Sequence, residues 1–477
     1  MSYAQEAASG DKLYERVARR VVRLIEEGTF QPGERIPSVR SQSRQHAVSI
    51  TTVLEAYRLL EIEGWIEARP QSGYFVATRV THRPAEPGAS APVPDPTQVS
   101  IGELSLRVLR DMQNPALVQL GATVPDPNLL PGERLNRLQN SIARELGGRS
   151  LSYDPPPGCR ELRLQIARRA LEYGCELHPD EIVTTTGCQE AMVLCLRAAC
   201  RPGDTVAIES PVYYGVLQAI ESLGLRALEL PTHPTTGMSL DALRYALDQH
   251  PVHACLISNF NNPTGSCMSG EARRELVELL ASRNIPLIED DIYGDLAHQA
   301  PRPHVAKAYD RKGLVMLCSS FSKTLAPGYR VGWVAPGRYF REVEHLKCFS
   351  TLATATLPQL TIAEFLNSGG YERYLRKMRG IYARQTALVA QAVAQYFPAG
   401  TRATRPGGGF IVWVELPESA DSLRLYQQAL DQGIIIAPGP IFSAKGAYRN
   451  YLRLNAAAWS PEIEAAIAKL GRLANEL

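Results

Sequence analysis

Residues 254–265 read ACLISNFNNPTG, a short apolar run that ends in a polar cluster. Ala254–Ser258 has the length and composition of a buried strand, and Asn259, Asn262 and the turn Pro263-Thr264-Gly265 follow it directly. Turn formation accounts for the proline and the glycine but not for the asparagine that precedes them. The stretch therefore predicts a buried strand whose end carries a functional side chain.

Further apolar segments of the chain share this pattern, and helical periodicity separates them. These segments are Ile182–Thr185, Thr205–Glu209, Pro286–Glu289, Val315–Ser319 and Val331–Ala335. Strands that alternate with helices predict parallel βαβ packing and an α/β fold. From about Tyr371 a long helix precedes three more strands, which predicts a smaller C-terminal α+β lobe over about 371–477. These strands are Phe410–Glu415, Ile434–Ala437 and Tyr451–Leu454.

Composition limits the class of protein. The chain has 477 residues, 45% of them hydrophobic, which is enough for several domains with cores of their own. It has no apolar run of about 18 residues and no secretory signal after Met1. Nine cysteines without a C-x-x-C pair indicate reduced thiols in a cytosolic protein. A net charge of +2 predicts no partner, so binding of nucleic acid requires a local patch.

A proline-rich stretch divides the chain. Residues 82–98 contain five prolines and few large apolar side chains, so we expect a linker over 81–113 between a small domain (1–80) and a large one (114–477). The small domain has two amphipathic helices, one at Leu13–Ile25 and one after Ser49, with a short helix between them that begins at Pro37-Ser38. Two strands, Trp65–Ala68 and Tyr74–Ala77, follow. Three helices and a hairpin predict a winged helix-turn-helix.

Polar groups at the strand ends of the large domain predict its ligand, because parallel sheets bind ligands beyond the carboxyl ends of their strands. Ser320, Ser322, Lys323 and Arg330 suit a phosphate dianion, although a single loop lysine is more often only solvated. Thr186-Gly187-Cys188-Gln189 opens a helix and could hold an anion, or it could be an ordinary turn.

Asp290, with Tyr293 close behind it, ends another strand of the large domain. A buried carboxylate needs a cationic partner, and a pyridinium N–H would serve. The alternatives for the acidic trio Glu289-Asp290-Asp291 are a polar strand end or a metal site. For Arg453, in the strand Tyr451–Leu454, the alternative is a surface arginine at a strand end.

In order from about Leu120 to the C-terminus, these segments resemble the fold-type I pyridoxal-phosphate aminotransferases of class I/II. The resemblance implies that Lys323 binds pyridoxal 5′-phosphate covalently, that Asp290 keeps the ring nitrogen protonated and that Tyr213 stacks on the ring. It implies that Asn262 and Tyr293 contact the ring oxygen, that Arg453 and Asn262 bind the substrate, and that Tyr153 reaches a neighbouring subunit's site. It implies that the phosphate is contacted by Gly187, Cys188, Gln189, Ser320, Ser322 and Arg330.

One position departs from this family. The family's Gly-x-Pro-Asp motif reads Thr123-Val124-Pro125-Asp126 here, although Gly121 lies close by. A glycine lets the backbone approach the substrate, so Thr123 is expected to change the shape of the pocket or the speed of the reaction.

The small domain contains Pro32-Gly33-Glu34-Arg35-Ile36-Pro37-Ser38-Val39-Arg40 and Leu60-Glu61-Ile62-Glu63-Gly64-Trp65, which are similar to GntR-type DNA-binding domains. The resemblance implies that DNA is faced by Ser38, Arg40, Arg44, Ser49, Thr51 and Thr52, with Gly73 at the tip of the wing. Many relatives carry arginine after the serine that caps the third helix, where Ile50 stands here, which leaves the operator open. The alternative is a basic face on a protein-interaction domain.

A GntR-type head joined to an aminotransferase-like body is the architecture of the MocR-like transcriptional regulators. We therefore predict a multidomain protein in which a winged helix-turn-helix joins a fold-type I body that has a smaller C-terminal lobe. Its function is predicted to be transcriptional regulation dependent on pyridoxal phosphate, with an amino acid, an amine or the cofactor itself as effector. Its predicted partners are operator DNA and a second copy in a homodimer. The rival hypothesis is an active aminotransferase with a secondary DNA-binding head.

Overall fold

The computed structural model describes residues 12–31, 33–69, 72–77 and 84–477. The chain forms two units, which divide between Arg83 and Pro84. No helix in the described ranges is long and apolar enough to cross a membrane.

The first unit consists of three helices and a hairpin, as predicted. The helices are α1 (Leu13–Glu26), α2 (Val39–His46) and α3 (Ile50–Ile62), and the strands are β1 (Ile66–Arg69) and β2 (Gly73–Val76). Val21, Val53 and Tyr57 are buried in a core between α1 and α3. Each strand of the hairpin is shifted by one residue from its predicted bounds, because the antiparallel pairing runs from Ile66 opposite Val76 to Arg69 opposite Gly73.

Side-chain caps set the starts of α2 and α3. Ser38 Oγ accepts from the amide of Ser41 at 3.3 Å, and Ser49 Oγ accepts from the amide of Thr52 at 3.0 Å. Such caps satisfy amide groups that have no partner within the helix. The Tyr57 hydroxyl donates to the Pro37 carbonyl at 2.6 Å, which fixes α3 against the residues that precede α2.

The second unit is built on a central sheet, in which the strands follow the order β3-β7-β6-β9-β10-β11-β12-β5 and β8 pairs with β7. The strands of this sheet are β3 (Thr97–Gln98), β5 (Val183–Thr185), β6 (Thr205–Ser210), β7 (Arg226–His233), β8 (Gly237–Met238), β9 (Ala254–Ser258), β10 (Leu287–Asp290), β11 (Val315–Ser320) and β12 (Gly332–Ala335). Strands β7, β6, β9, β10 and β11 are parallel to one another.

The sheet is mixed rather than parallel throughout, which corrects the prediction. Strand β12 runs antiparallel to both β11 and β5. The residues between Ser320 and Gly332 contain only a short 3-10 turn, Pro327–Tyr329, and no crossover helix. A parallel return needs a crossover of a dozen or more residues, so a strand after so short a connection returns antiparallel.

Twelve helices in the described residues belong to the second unit. They are α4 (Gly102–Asp111), α5 (Gly132–Leu146), α6 (Arg160–Ala170), α7 (Cys188–Ala199), α8 (Tyr214–Ser222), α9 (Leu240–Gln249), α10 (Gly270–Ser282), α11 (Phe340–Thr351), α12 (Thr356–Asn367), α13 (Tyr371–Tyr396), α14 (Ser422–Asp431) and α15 (Pro461–Asn475).

A second sheet follows α13 in the chain, with the order β13-β14-β17-β16. Its strands are β13 (Arg402–Ala403), β14 (Ile411–Glu415), β16 (Ala437–Pro438) and β17 (Tyr451–Asn455). A separate parallel pair joins β15 (Ile434–Ile435) to β4 (Val118–Gln119). The segment near Leu120 therefore meets the C-terminal part of the chain, and the single strand expected over Ile434–Ala437 is divided in two.

Residues 84–113 are packed against the second unit, although their composition predicts a linker. Strand β3 pairs with β7, and the Ser90 hydroxyl accepts from the amide of Thr232 at 2.8 Å. Val99, Ile101 and Val108 are buried in the main core. Proline favours an extended backbone, and an extended segment packs on a folded surface as readily as it stays in solvent. The proline content therefore does not distinguish a linker from a packed segment. Residues 81–83 of the expected linker lie outside the described ranges.

Candidate cofactor site and candidate DNA-binding surface

One cavity at the carboxyl ends of β6, β9, β10 and β11 brings most of the predicted cofactor residues together. Its walls include Cys188, Gln189, Tyr213, Asn262, Asp290, Tyr293, Ser320, Ser322, Lys323 and Arg330. The same cavity is lined by six residues that were not assigned to the cofactor from the sequence, namely Thr123, Met192, Ser258, Asn259, Phe260 and Ile292.

Lys323 enters this cavity from the loop after β11. Its Nζ donates to the Thr123 carbonyl at 2.6 Å. Burial and the nearby Arg453 guanidinium lower the pKa of Lys323 to about 8. About a tenth of the amine is therefore uncharged at pH 7, far more than for an ordinary lysine, and the uncharged form is the one that acts as a nucleophile.

Asp290 is buried at the end of β10, with one side of its carboxylate already occupied. Its Oδ1 accepts from the amide of Ile292 at 3.1 Å and from the thiol of Cys188 at 3.5 Å. Burial raises the pKa of Asp290 to about 6. A buried carboxylate gains most from a cation that reaches it inside the cavity, and a protonated ring nitrogen is one such cation.

The flanking acids of the trio are bound elsewhere. Asp291 forms a buried ion pair with Arg302, with Nη2 and Oδ1 2.7 Å apart. Glu289 accepts from the amide of Ala306 at 2.7 Å. No group of three or more potential metal-ligating side chains occurs in the described part of the chain. Of the trio, therefore, only Asp290 lines the cavity.

Arg330 and Ser322 form a polar cradle where α7 begins. Arg330 Nη1 donates to Ser322 Oγ at 3.3 Å, and its Nη2 donates to the Thr186 carbonyl at 3.2 Å. Gly187 has φ of +81°, and a Cβ on it would lie 2.4 Å from Arg330 Nη2. A side chain at Gly187 would therefore displace the guanidinium. The helix N-terminus, the hydroxyls and the arginine together suit a phosphate.

Two predicted phosphate residues turn their side chains elsewhere. Gln189 Nε2 donates to the Gly215 carbonyl at 2.7 Å, and the Cys188 thiol contacts Asp290. Both residues nevertheless border the cavity that contains Arg330 and Ser322.

Arg453 is fully buried on β17 and joins two segments of the cavity wall. Its Nη1 donates to Asn262 Oδ1 at 2.8 Å, and its Nη2 donates to the Gly121 carbonyl at 2.6 Å. The alternative of a surface arginine at a strand end is therefore wrong. Its Nε is buried without a hydrogen-bond partner among the described residues. The Nε–H of the guanidinium thus remains for a further acceptor.

Glu209 was missed from the sequence, although it supports the turn that follows β9. Its Oε2 accepts from the amide of Ser258 at 2.8 Å and from Asn261 Nδ2 at 2.9 Å. Burial raises the pKa of Glu209 to about 7. A charged residue inside an otherwise apolar strand, here Thr205–Glu209, is the signal that could have revealed it.

Tyr153 stands apart from this cavity. Its side chain is 79% exposed and lines a separate surface depression with Leu151 and Leu352. Leu151 is also exposed, at 89%. Within one chain Tyr153 therefore does not contribute to the cofactor cavity.

The predicted DNA residues of the first unit fall into two groups. Arg40, Arg44 and Thr51 are exposed and point away from the core. Ser38, Ser49 and Thr52 serve the helix starts, since Ser49 Oγ also lies 2.8 Å from Thr52 Oγ1.

A cation that was not assigned to DNA from the sequence lies beside the wing. Gly73 opens β2 with φ of +102°, and a Cβ on it would lie 3.2 Å from Arg35 Nε. The Arg35 guanidinium therefore lies beside the hairpin, although Arg35 precedes α2 in the chain. Residues 70 and 71 of the predicted turn lie outside the described ranges.

These two units define a class of protein in which a winged helix-turn-helix is joined to an aminotransferase-like body. Residues 127–470 match the family described as aminotransferase class I and II, and residues 13–76 match the gntR family of bacterial regulatory proteins. The chain belongs to the GntR-type transcriptional regulators of the MocR-like architecture.

Two similar proteins have the same two-part extent. The uncharacterized HTH-type transcriptional regulator YjiR of Escherichia coli K12 is 42% identical over 93% of this chain and 94% of its own. YdcR of the same organism, described in the same words, is 40% identical over 98% and 99%. Among solved structures, LysN of Thermus thermophilus, an alpha-aminoadipate aminotransferase complexed with N-(5′-phosphopyridoxyl)-L-leucine, has a TM-score of 0.73 at 30% identity. The match covers 77% of this chain and 94% of LysN.

Proposed function

We propose that this regulator binds pyridoxal 5′-phosphate in the cavity around Lys323 and controls DNA binding in response to an amino acid, an amine or the cofactor itself. The observation that carries the proposal is the convergence of an amine, a buried carboxylate and an anion cradle, contributed by Lys323, Asp290 and Arg330. These groups match the aldehyde, the ring nitrogen and the phosphate of one molecule.

Each group has a defined task toward the cofactor. When bound, pyridoxal phosphate supplies an aldehyde that captures amines and a ring that withdraws electrons. Lys323 offers an amine of lowered pKa, and Asp290 offers its free oxygen Oδ2 to the ring nitrogen. Arg330 and Ser322 hold the phosphate at the start of α7, while Tyr213 covers the ring and Tyr293 and Asn262 serve its 3-oxygen.

The effector is proposed to carry a carboxylate. Arg453 is buried beside the cavity and keeps its Nε without a partner among the described residues. Its bond to Asn262 Oδ1 can be exchanged for one to a carboxylate, which is the stronger acceptor. An amine would react at the aldehyde, and the carboxylate would bind Arg453. Amino acids therefore fit both ends of the cavity.

The working unit is proposed to be a homodimer that acts on operator DNA in the cytoplasm. Exposed Tyr153 and Leu151 form a surface that a second subunit would cover, which brings Tyr153 toward the neighbouring site. A C2 dimer presents two heads to a palindromic operator. The cysteines of the chain are free, as in proteins of reducing compartments.

Catalysis of transamination is a second candidate function. Lys323 and Asp290 line the cavity and Arg453 bonds to Asn262 in its wall, so the groups that the reaction needs are present. The Lys323–Thr123 bond uses the main-chain carbonyl of Thr123, so it does not depend on the side chain that stands where the family's motif has glycine. Steady turnover of an amino acid with a keto acid at rates of roughly 1 per second or more would favour this function.

The deciding experiment measures binding of the full-length protein to the DNA upstream of its own gene, at physiological salt. Wild type and Lys323→Ala are compared with and without pyridoxal phosphate and individual amino acids. We expect sequence-selective binding that amino acids change in wild type and leave unchanged in Lys323→Ala. Selective binding that responds to no ligand in either protein would overturn the sensing function. Absence of selective binding would overturn the assignment of the DNA-binding residues in the first unit.

A further inference from the structure

The outer face of α3 carries two large apolar side chains that the core does not use. Ile50 is 50% exposed and Leu54 is 45% exposed. They are four residues apart, so they lie one above the other on the same face of the helix. The opposite face supplies Val53, Tyr57 and Leu60 to the core, and each of these is fully buried. Packing of the first unit therefore explains the inner face and leaves the outer pair unexplained.

The surroundings of this pair are polar and mostly basic, because the one acid beside Leu54, the exposed Glu55, is paired with Arg58 at 3.5 Å. Thr51 is exposed between them, and Arg40 and Arg44 are exposed on α2, which packs against α3. The Tyr57 hydroxyl bonded to the Pro37 carbonyl fixes the outer face relative to the start of α2. Arginines of this kind bind phosphates and carry no sequence information of their own. The apolar pair is thus framed by groups that suit a nucleic-acid backbone.

An apolar side chain recognises only one feature of the major groove. Ile50 and Leu54 have no donor or acceptor, so they cannot bond to guanine or adenine edges. The 5-methyl group of thymine is the apolar group that the groove presents. We propose that Ile50 and Leu54 bind thymine methyl groups and so select operators with thymine at the contacted positions. This inference rests on the proposed binding of operator DNA.

The charge around the pair favours DNA over a second copy of the chain. A self-association through this face would bring Arg40 and Arg44 of both copies together, and like charges at an interface oppose association. Duplex DNA is complementary to the same arginines.

The experiment removes the methyl groups one at a time. The full-length protein first selects its preferred site from a random duplex pool, and each thymine of that site is then replaced by uracil, which pairs identically but lacks the methyl group. Affinities of wild type, Ile50→Ala and Leu54→Ala are measured for every duplex. Leu13→Ala is the matched control, because Leu13 is 56% exposed in the same unit but lies on α1.

For wild type we expect at least one thymine whose replacement weakens binding about fourfold, the factor that corresponds to about 0.8 kcal/mol for one buried carbon. Ile50→Ala or Leu54→Ala should weaken binding to the thymine duplex by a similar factor and abolish the effect of uracil at that position. Leu13→Ala should retain the full wild-type response to uracil.

A selected site to which wild type binds equally well with thymine or uracil would overturn the inference and leave DNA binding intact. An unchanged response to uracil in both α3 variants would also overturn it. Failure to select any site would instead refute the proposed binding of operator DNA. A loss of dimer in Ile50→Ala and Leu54→Ala, with no change in the response to uracil, would assign the face to self-association.

Discussion

The thiol of Cys188 lies 3.5 Å from Asp290 Oδ1, so the first turn of α7 is bonded to the end of β10 beneath the cofactor cavity. The amide of Ile292 donates to the same oxygen at 3.1 Å. The two donors hold the carboxylate in one orientation through Oδ1, and Oδ2 accepts no hydrogen bond from the described residues. Cys188 thereby acts as a positioning residue for Asp290.

Replacing this donor is expected to weaken cofactor binding. The thiol bond lowers the pKa of Asp290, so Cys188→Ala should raise that pKa above its present value of about 6 and leave less carboxylate at neutral pH. We expect affinity for pyridoxal phosphate to fall about threefold to tenfold at pH 7, since a bond to a charged group is worth about 1.5 kcal/mol or less when the donor is weak. Visible absorbance titration from pH 5.5 to 8 measures both quantities.

Two matched variants separate positioning from packing. Cys188→Ser supplies a stronger donor of similar size and should restore wild-type affinity. Cys195→Ala removes a buried thiol from the same helix, one whose contact is Cys318 rather than Asp290, and should leave affinity unchanged. Equal losses in Cys188→Ala and Cys195→Ala would show that only packing matters.

The reaction of Lys323 with the cofactor aldehyde should depend on pH with a midpoint near 8. Burial and Arg453 disfavour the ammonium form, so the reactive free amine exists at lower pH than for an ordinary lysine. The rate should rise about tenfold per pH unit below 8 and level off above it. Stopped-flow absorbance between pH 6 and 9.5 measures this profile. Lys323→Ala should show no covalent capture after borohydride reduction, and a midpoint near 10.5 in wild type would contradict the expected shift.

Arg453 is expected to contribute to stability as well as to ligand choice. Arg453→Met leaves Asn262 Oδ1 and the Gly121 carbonyl without their donor, which should lower the free energy of unfolding by about 3 kcal/mol. The same variant should lose the preference for amino acids over the corresponding amines. Urea unfolding followed by tryptophan fluorescence, together with ligand titration, measures the two effects.

Arg402→Gln is the control for this variant. Arg402 lies on β13 of the same sheet, but its ion pair with Glu415 is partly exposed and 3.4 Å long. Such a pair is worth about 1 kcal/mol or less. A comparable loss of stability in both variants would mean that the buried bonds of Arg453 stabilise the fold no more than a partly exposed ion pair does.

Tyr153 is expected to act in the site of a neighbouring subunit. Tyr153→Ala should lower cofactor affinity although Tyr153 does not line the cavity of its own chain. Dimers that combine one Tyr153→Ala subunit with one Lys323→Ala subunit contain one site with both intact groups, and that site should regain wild-type affinity. Borohydride capture on separately tagged subunits reports which chain holds the cofactor. No recovery in the mixed dimers would place the action of Tyr153 within its own chain.

Local sequence patterns were sufficient to predict the elements and the residues at strand ends. Alternation of short apolar runs with helices predicted β9, β10 and β11, and polar residues at their ends predicted Asn262, Asp290 and Lys323 as neighbours. This works because parallel strands bring their carboxyl ends to one edge, whatever the connections between them. Ser38 and Ser49 were likewise predictable, since caps act within three residues.

Contacts between distant segments were not predictable. The bond between Arg453 and Asn262 joins residues 191 positions apart, and a strand pattern does not specify which side chain it meets. The sequence was equally compatible with a Cys188 thiol that contacts the phosphate, as a serine hydroxyl would. Packing beneath α7 directs the thiol toward Asp290 instead. The antiparallel course of β12 follows from the absence of a crossover helix, which strand periodicity alone does not report.

The attachment of residues 84–113 to the second unit sets the reach of any tether between the units. Thirty extended residues would span up to about 100 Å, and this contour length is removed when Ser90 and β3 are fixed to β7. We therefore expect operators to tolerate little variation in the distance between half-sites. A fragment designed to fold without the head must likewise start at Pro84. Starting at residue 114 would remove the edge strand β3 from the sheet and the side chains of Val99, Ile101 and Val108 from the core.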